Sequence, residues 1–330
     1  MHLVAAPDKF RGTATAVEVA EAIGAAARTT GATVDLVPVA DGGEGTLAAL
    51  GGPNRTATVT GPLGDPVVAP WRRSVDEAVL EMALASGLDL VGGAEGNDAM
   101  AASTSGTGEL ILAALDAGCR RVVLGVGGSA STDGGLGAVR ALEPAARLRG
   151  VELMVACDVR TTFVDAATTF AGQKGATPAE VELLRRRLER LAQVYEEAYG
   201  VDVRALPGSG AAGGLAGGLA AVGARLVPGF DLVAEELDLA ARMETADLVV
   251  TGEGFLDDQS FAGKAVGGVV ELASSLERPV LVVAGELLER VVVPPGVTAV
   301  SLVERFGRNR AVHDTVACIS EVVTGHLARG

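Results

Sequence analysis

Short apolar runs that end in glycine loops carrying acids recur along this chain, and they restrict it to sheets covered by helices on both faces. Leu3-Val4-Ala5-Ala6 leads into a polar loop at Asp8 to Gly12, Val34 to Val39 into Asp41-Gly42-Gly43-Glu44, and Asp247 to Thr251 into Gly252-Glu253-Gly254. A helix separates the first two runs: Thr15 with Glu18 three residues later is a capping box, and Gly31 closes the helix. Strand, loop, helix, strand, loop is the signature of parallel βαβ units. Pro279 to Ala284 and Val297 to Leu302 continue the same grammar, so these five runs are expected to form one sheet. With 48% hydrophobic but only 3% aromatic residues, the core must be built from Ala, Val and Leu, as in doubly covered sheets.

Between those runs the pattern changes. Thr56 to Thr60, Val67 to Trp71 and Ala78 to Glu81 are short β-prone pieces divided by the turn signals Gly61-Pro62 and Gly64-Asp65-Pro66, which predicts a meander opening an inserted domain. A helix over Gly108 to Ala117 then precedes a strand over Arg121 to Val126, whose exit is the loop Gly127 to Gly135. Another strand, Leu153 to Cys157, ends at Asp158, and Thr177, Pro178 and Glu180 start a helix that runs to about Tyr199. A chain of 330 residues suits two domains. The expected architecture is α/β: a Rossmann-like parallel-sheet domain from residues 1–53 plus 243–330, an inserted mixed α/β domain over 54–242, and an active site in the cleft between them.

A formal charge of −15 repels nucleic acid and anionic membranes, so neither is an expected partner. The N-terminus has no charged segment before an apolar stretch and no apolar run reaches about 18 residues, which points to a soluble, cytoplasmic protein. Cys119, Cys157 and Cys318 are odd in number and far apart, so they read as buried small residues and not as a disulfide framework or zinc site.

The glycine loops carry the chemistry. Glycines let backbone N–H groups approach an anion, while Asp and Glu supply the hard oxygens that Mg²⁺ requires, so a phosphoryl-transfer enzyme is expected. No Walker A motif is present. The motifs Ala6-Pro7-Asp8-Lys9-Phe10-Arg11-Gly12, Pro38 to Thr46, Glu81 to Leu88, Thr104 to Ile111, Gly127 to Gly135, Gln173-Lys174-Gly175-Ala176, Gly208 to Gly214 and Thr251-Gly252-Glu253-Gly254 fall in one order. In that order the chain resembles the bacterial glycerate kinases from residue 3 to about 285. The resemblance implies ATP-dependent phosphorylation of D-glycerate, usually at the 2-hydroxyl, with Mg²⁺, on a two-domain α/β fold. It departs from the family at Thr161-Thr162-Phe163, at Phe255, and in a shortened stretch between Gly135 and Val155, and the first two departures are expected to shape the acceptor pocket.

Within that frame Asp8, Lys9 and Arg11 follow the first strand and suit the substrate carboxylate or the γ-phosphate. Asp41 and Glu44, and then Glu253 and Asp257, are expected to bind substrate, with Asp41, Asp133 and Glu253 as metal ligands. Gly127, Gly128, Ser129, Ser131 and Asp133 form a phosphate cradle ahead of a helix, joined by Gly208, Ser209, Gly210 and Lys264 as further contacts to ATP. Asp158 is the first candidate for the base that deprotonates the attacking hydroxyl, with Lys9, Arg11 and Lys174 in catalytic roles. His2, His313 and His326 lie outside every motif, which disfavours Ser-His-Asp chemistry. A kinase for a related small hydroxy acid, or a non-catalytic ligand-binding protein on the same fold, stands as the alternative. A nicotinamide oxidoreductase would need a complete fingerprint loop, which the chain lacks. Assembly as a homodimer is left open.

Overall fold

The structure, a computed structural model, describes residues 1–257, 260, 264–288 and 291–329. It divides into two compact units, one formed by Met1–Asp41, Ala48–Leu50 and the chain from Phe230 onward, the other by Gly42–Leu47 and Gly51–Gly229. The divisions fall near residues 41 and 229, where the sequence reading set boundaries near 53 and 243.

The first unit holds β1 (His2–Ala5), β2 (Thr33–Leu36), β9 (Leu248–Leu256), β10 (Val280–Leu287) and β11 (Val297–Ser301). They form one sheet in the order β11-β10-β9-β1-β2, every neighbour parallel, from the five runs expected. Alternation within each run explains the two covered faces. Leu3, Ala5, Leu248, Val250, Leu281 and Val283 pack with Val19, Ile23, Ile319 and Val322 from helices Ala16–Thr29 and Thr315–Leu327. Val4, Val249 and Val282 turn the other way, onto Val266 and Val269 of helix Ala265–Ser275. Thr15 makes the anticipated capping box with Glu18. From β1 the chain moves outward to β2, then returns on the opposite side as β9. The carboxyl ends of β1 and β9 are therefore a switch point, where loops diverge and leave a crevice.

The second unit holds β3 (Arg55–Thr60), β4 (Pro66–Ser74), β5 (Glu77–Glu81), β6 (Arg121–Gly125), β7 (Glu152–Ala156) and β8 (Arg225–Val227), paired in that order. The first three make the expected antiparallel meander and the last four run parallel. β8 had no counterpart in the sequence reading. Helix Pro178–Tyr199 starts on the Thr177 capping box and lays Leu184, Leu188, Ala192 and Tyr195 into the core.

Phe163 belongs to that core and not to an acceptor pocket, which corrects the expectation for that residue. It is fully buried, its ring meets Tyr195 edge-on at 6.1 Å, and a side chain at Gly217 would lie 2.4 Å from it. No described helix is long and apolar enough to cross a membrane.

Candidate active site

In the first unit the β1–β9 switch point is built by backbone hydrogen bonds that continue the ladder past β1. Ala6 N–H donates to the Val250 carbonyl at 2.8 Å and Asp8 N–H to the Gly252 carbonyl at 2.9 Å. The Asp8 side chain is thereby fixed beside the exit of β9. It is 7% exposed, accepts the Lys9 N–H at 2.7 Å, and lies 4.0 Å from Lys9 Nζ. Gly254 allows the two loops to approach: a Cβ there would sit 3.1 Å from Phe10 Cα and Arg11 N.

Around this point is a cavity of about 420 Å³ lined by Asp8, Lys9, Arg11, Asp41, Glu253, Asp257 and Lys264, so seven of the expected site residues are brought together. Burial, reinforced by the Asp41 charge and opposed by Lys9 and Arg11, pushes the Asp8 carboxyl up to about 6. Burial also raises Glu253 to about 7; a hydrogen bond from Ser260 and the Lys264 charge work against it, and the Asp8 and Asp257 charges add to it. Glu253 Oε1 is buried and has no hydrogen-bond partner. A carboxyl with one unsatisfied oxygen and a pKa near neutrality can take a proton or offer a hard ligand to a cation. Phe255 also lines this cavity and is 48% exposed. Phe261–Gly263, which lead into Lys264 in the sequence, lie outside the described residues.

In the second unit the loop leaving β6 meets the segment around Lys174. Lys174 is 3% exposed; its Nζ donates to Ser129 Oγ and to the Ser131 carbonyl, each at 2.6 Å. Asn97 Nδ2 ties the segments together by donating to the Lys174 carbonyl at 2.8 Å and to that of Ala130 at 3.0 Å. Burial pulls the Lys174 ammonium down to about 7, with the Asp133 charge acting the other way. A second cavity, about 350 Å³, is lined by Gly127, Gly128, Ser129, Asp158, Gln173 and Lys174 on one part and by Ala211 to Gly213 on another. Asp158 is exposed at the end of β7 and accepts the Gly229 N–H at 2.8 Å.

Several expectations change. Asp133 is committed to structure: Oδ2 accepts from Thr104 N at 2.9 Å, Thr104 Oγ1 at 2.8 Å and Gly137 N at 3.1 Å, and Oδ1 from Gly135 N at 3.0 Å. It clamps the helix Leu136–Ala141 to the start of helix Ser105–Asp116 and is corrected as a metal ligand and phosphate contact. Ser131 meets Lys174 through its carbonyl, and its buried hydroxyl does not line the cavity. Gly208 and Gly210 pack on Cys157 and Thr162, with Ser209 fully buried, so the lining from this loop comes from Ala211 to Gly213 instead. Ala212 and Gly213 there have φ of 52° and 67°, a left-handed turn. Glu44 is exposed and lines neither cavity.

Three contributors went unrecognised in the sequence. Glu81, 5% exposed, accepts from Gly45 N at 3.0 Å and Leu47 N at 2.6 Å and so fixes the Gly42–Leu47 loop; an acid closing a buried strand was the signal. Asn97 had none. Arg308, paired with Glu286 at 2.5 Å, lines the first cavity from beyond the stretch where the resemblance was read. Among the described residues no three His, Cys, Asp or Glu side chains converge to hold a metal by themselves. Mg²⁺ in phosphoryl-transfer sites is commonly held by one or two carboxylates together with substrate phosphates.

A parallel sheet with acids and cations at its switch point, joined to a unit whose glycine loop grips a buried lysine, defines an α/β enzyme built to handle small anions. The profile of the Glycerate kinase family matches residues 3–146 and 143–322, and the chain belongs to that family. It is 38% identical to a glycerate 2-kinase of Escherichia coli K12 over 382 residues, covering 100% of this chain and 99% of that one. Identity is 40% over 325 residues with a glycerate kinase of Halalkalibacterium halodurans, covering 86% and 85%. A crystal structure assigned as a candidate glycerate kinase 2 from Salmonella typhimurium LT2 superposes with a TM-score of 0.83 at 35% identity, over 99% of this chain and 98% of that one.

Proposed function

We propose that this chain phosphorylates D-glycerate with ATP and Mg²⁺, favouring the 2-hydroxyl. The observation that carries the phosphoryl-transfer reading is Lys174, a lysine buried against the hydroxyl of a glycine loop. A cation held without a carboxylate partner within hydrogen-bond reach is poised for a phosphate anion. Glycerate as acceptor rests on the relatives' activities.

Roles follow from the lining of each cavity. Lys9 and Arg11 take the glycerate carboxylate, with Arg11 suited to a bidentate grip. Glu253 accepts the proton of the attacking hydroxyl, in preference to Asp158, because the Gly229 N–H stabilises the Asp158 carboxylate whereas Glu253 Oε1 has no donor. Gly127, Gly128, Ser129, Lys174 and Ala211 to Gly213 receive nucleotide phosphates. Asp8 and Asp41, two hard carboxylates lining the first cavity, fit Mg²⁺ held jointly with substrate phosphates; when bound, the ion would neutralise charge on those phosphates. Positioning and charge stabilisation dominate such a transfer, so the residues act mainly by fixed geometry.

The test is a coupled ADP-release assay with Mg-ATP and D-glycerate, L-glycerate, tartronate, erythronate or lactate, followed by ³¹P NMR of the product. D-Glycerate turnover giving 2-phosphoglycerate is expected; ADP release with another acid alone reassigns the acceptor, and none with any acid sinks the kinase reading. Asp158→Asn separates the two candidate bases: it is expected to lower kcat less than tenfold, and a loss of about 100-fold or more would return the role to Asp158.

A further inference from the structure

The inserted unit has a third cavity, of about 600 Å³, that the proposed chemistry does not use. Its walls are apolar, chiefly Met100, Leu136, Leu184, Leu188, Leu191 and Val194, and the last four stand on the long helix Pro178–Tyr199. Three exposed guanidinium groups, those of Arg140, Arg187 and Arg190, also line it. Arg187 donates to the Met100 carbonyl at 3.1 Å, a neutral acceptor that leaves its guanidinium charge largely available to an anion, whereas Arg190 donates to Gln193 Oε1 at 2.8 Å and is paired with Glu197 at 3.9 Å. Thr132 lines the cavity too. It is 2% exposed, and its Oγ1 has no hydrogen-bond partner. A buried hydroxyl left without a partner costs about 1–3 kcal/mol, so its presence against a cavity asks for a polar atom there.

From this combination we infer a regulatory site for a small amphipathic organic anion, with an apolar body against the leucines, a carboxylate or sulfonate at the arginines, and a hydrogen-bonding atom within reach of Thr132. The volume lies within the usual range for sites that enclose such molecules, and mostly apolar walls with a few placed polar groups are their ordinary composition. Coupling to the proposed chemistry runs through one loop. Thr132 and Asp133 line this cavity, Gly127 to Ser129 line the one beside Lys174, and Ser131 between them accepts from Lys174 Nζ. A ligand that shifts Thr132 displaces the carbonyl that holds the lysine. The family profile matches in two segments that overlap at residues 143–146, just past the helix Leu136–Ala141 that supplies Arg140.

The test titrates the whole protein with 8-anilinonaphthalene-1-sulfonate, read by fluorescence, with decanoate as competitor. One saturable site is expected, displaced by decanoate and unaffected by ATP, with affinity reduced at least tenfold in Arg140→Glu and in Arg187→Glu. Ala101→Trp, at an exposed lining position, fills the cavity and is expected to abolish binding; unchanged circular dichroism shows that each variant is folded. Saturating decanoate is expected to change the KM for ATP at least threefold in the parent and not in Ala101→Trp. Equal affinity in the parent and all three variants, or displacement of the probe by ATP, overturns the site. Binding that leaves the KM for ATP unchanged overturns its regulatory role. The probe's binding does not depend on the acceptor, so the site can stand even if glycerate turnover fails.

Discussion

Glu253→Gln is expected to reduce turnover by about 10²- to 10⁴-fold, the usual worth of a general base, and to raise thermal stability at pH 8. The same property produces both effects. Burial holds the Glu253 carboxyl at about 7, above its ordinary value of 4.5. A raised carboxyl pKa means that the folded state binds the proton more tightly than the unfolded chain. Stability is therefore lost as pH rises through the window between about 4.5 and 7, and the loss is complete above it. Glutamine carries no charge at any pH, so the gain should be on the order of 2 kcal/mol at pH 8, several degrees in Tm, and should vanish below about pH 4, where both folded and unfolded forms of the glutamate are protonated. Turnover of the parent should rise with pH through an apparent pKa near 7, one shared with Asp8 because the two carboxyls interact. Unchanged kcat in the variant would remove Glu253 as base; a lower Tm at pH 8 would mean that the carboxylate supports the fold instead of straining it.

For Lys174 the expected result is a loss of about 10²- to 10³-fold in kcat/KM for ATP on replacement by methionine, which keeps most of the stem and removes the charge. The pH signature has the opposite sign. Burial lowers this ammonium from 10.5 to about 7, so the unfolded chain binds the proton more tightly between those values. The parent should gain stability from this group as pH rises from 7 towards 10, and Lys174→Met should lack that slope. A phosphate arriving beside Lys174 favours the charged form again. ATP binding at pH 8 should therefore be accompanied by uptake of a substantial fraction of one proton, read by calorimetry in buffers of different ionisation enthalpy. No proton uptake in the parent, or equal uptake in Lys174→Met, would separate Lys174 from the nucleotide. Together the two groups predict a narrow bell for kcat/KM, since one must be deprotonated and the other protonated near the same pH.

The parallel sheet is legible in the sequence because its strands are uninterrupted apolar runs, and a strand covered on both faces has no other composition to adopt. β8 is not, since Arg225–Val227 is three residues long, opens on an exposed arginine, and is recruited only by pairing with β7. The capping boxes at Thr15 and Thr177 are local, so they read correctly. Asp133 misled for the opposite reason: an acid in a glycine loop looks the same whether it waits for a cation or, as here, accepts from Thr104, twenty-nine residues away. Phe163 misled similarly, because only the tertiary packing of Gly134, Gly214 and Gly217 around its ring reveals what those glycines accommodate. The cluster at the β1–β9 switch point was readable as separate loops, each acid following an apolar run. Its perturbed proton affinities were not, since they arise from burial and from charges that meet only in the folded unit.

The insertion between β2 and β9 also orders events in time. β1 pairs with β9 in the register Leu3 to Leu248, so the central pair of the first sheet joins segments whose synthesis, at roughly 5–20 residues per second, is separated by tens of seconds. β3 to β8 are all made before β9 begins, and the inserted unit can complete its own sheet while the first has only β1 and β2. Two parallel strands and one helix make a poor nucleus. Until the ribosome delivers β9, the apolar edge of β1 has no partner, and that interval is when this chain is most exposed to chaperones and to self-association.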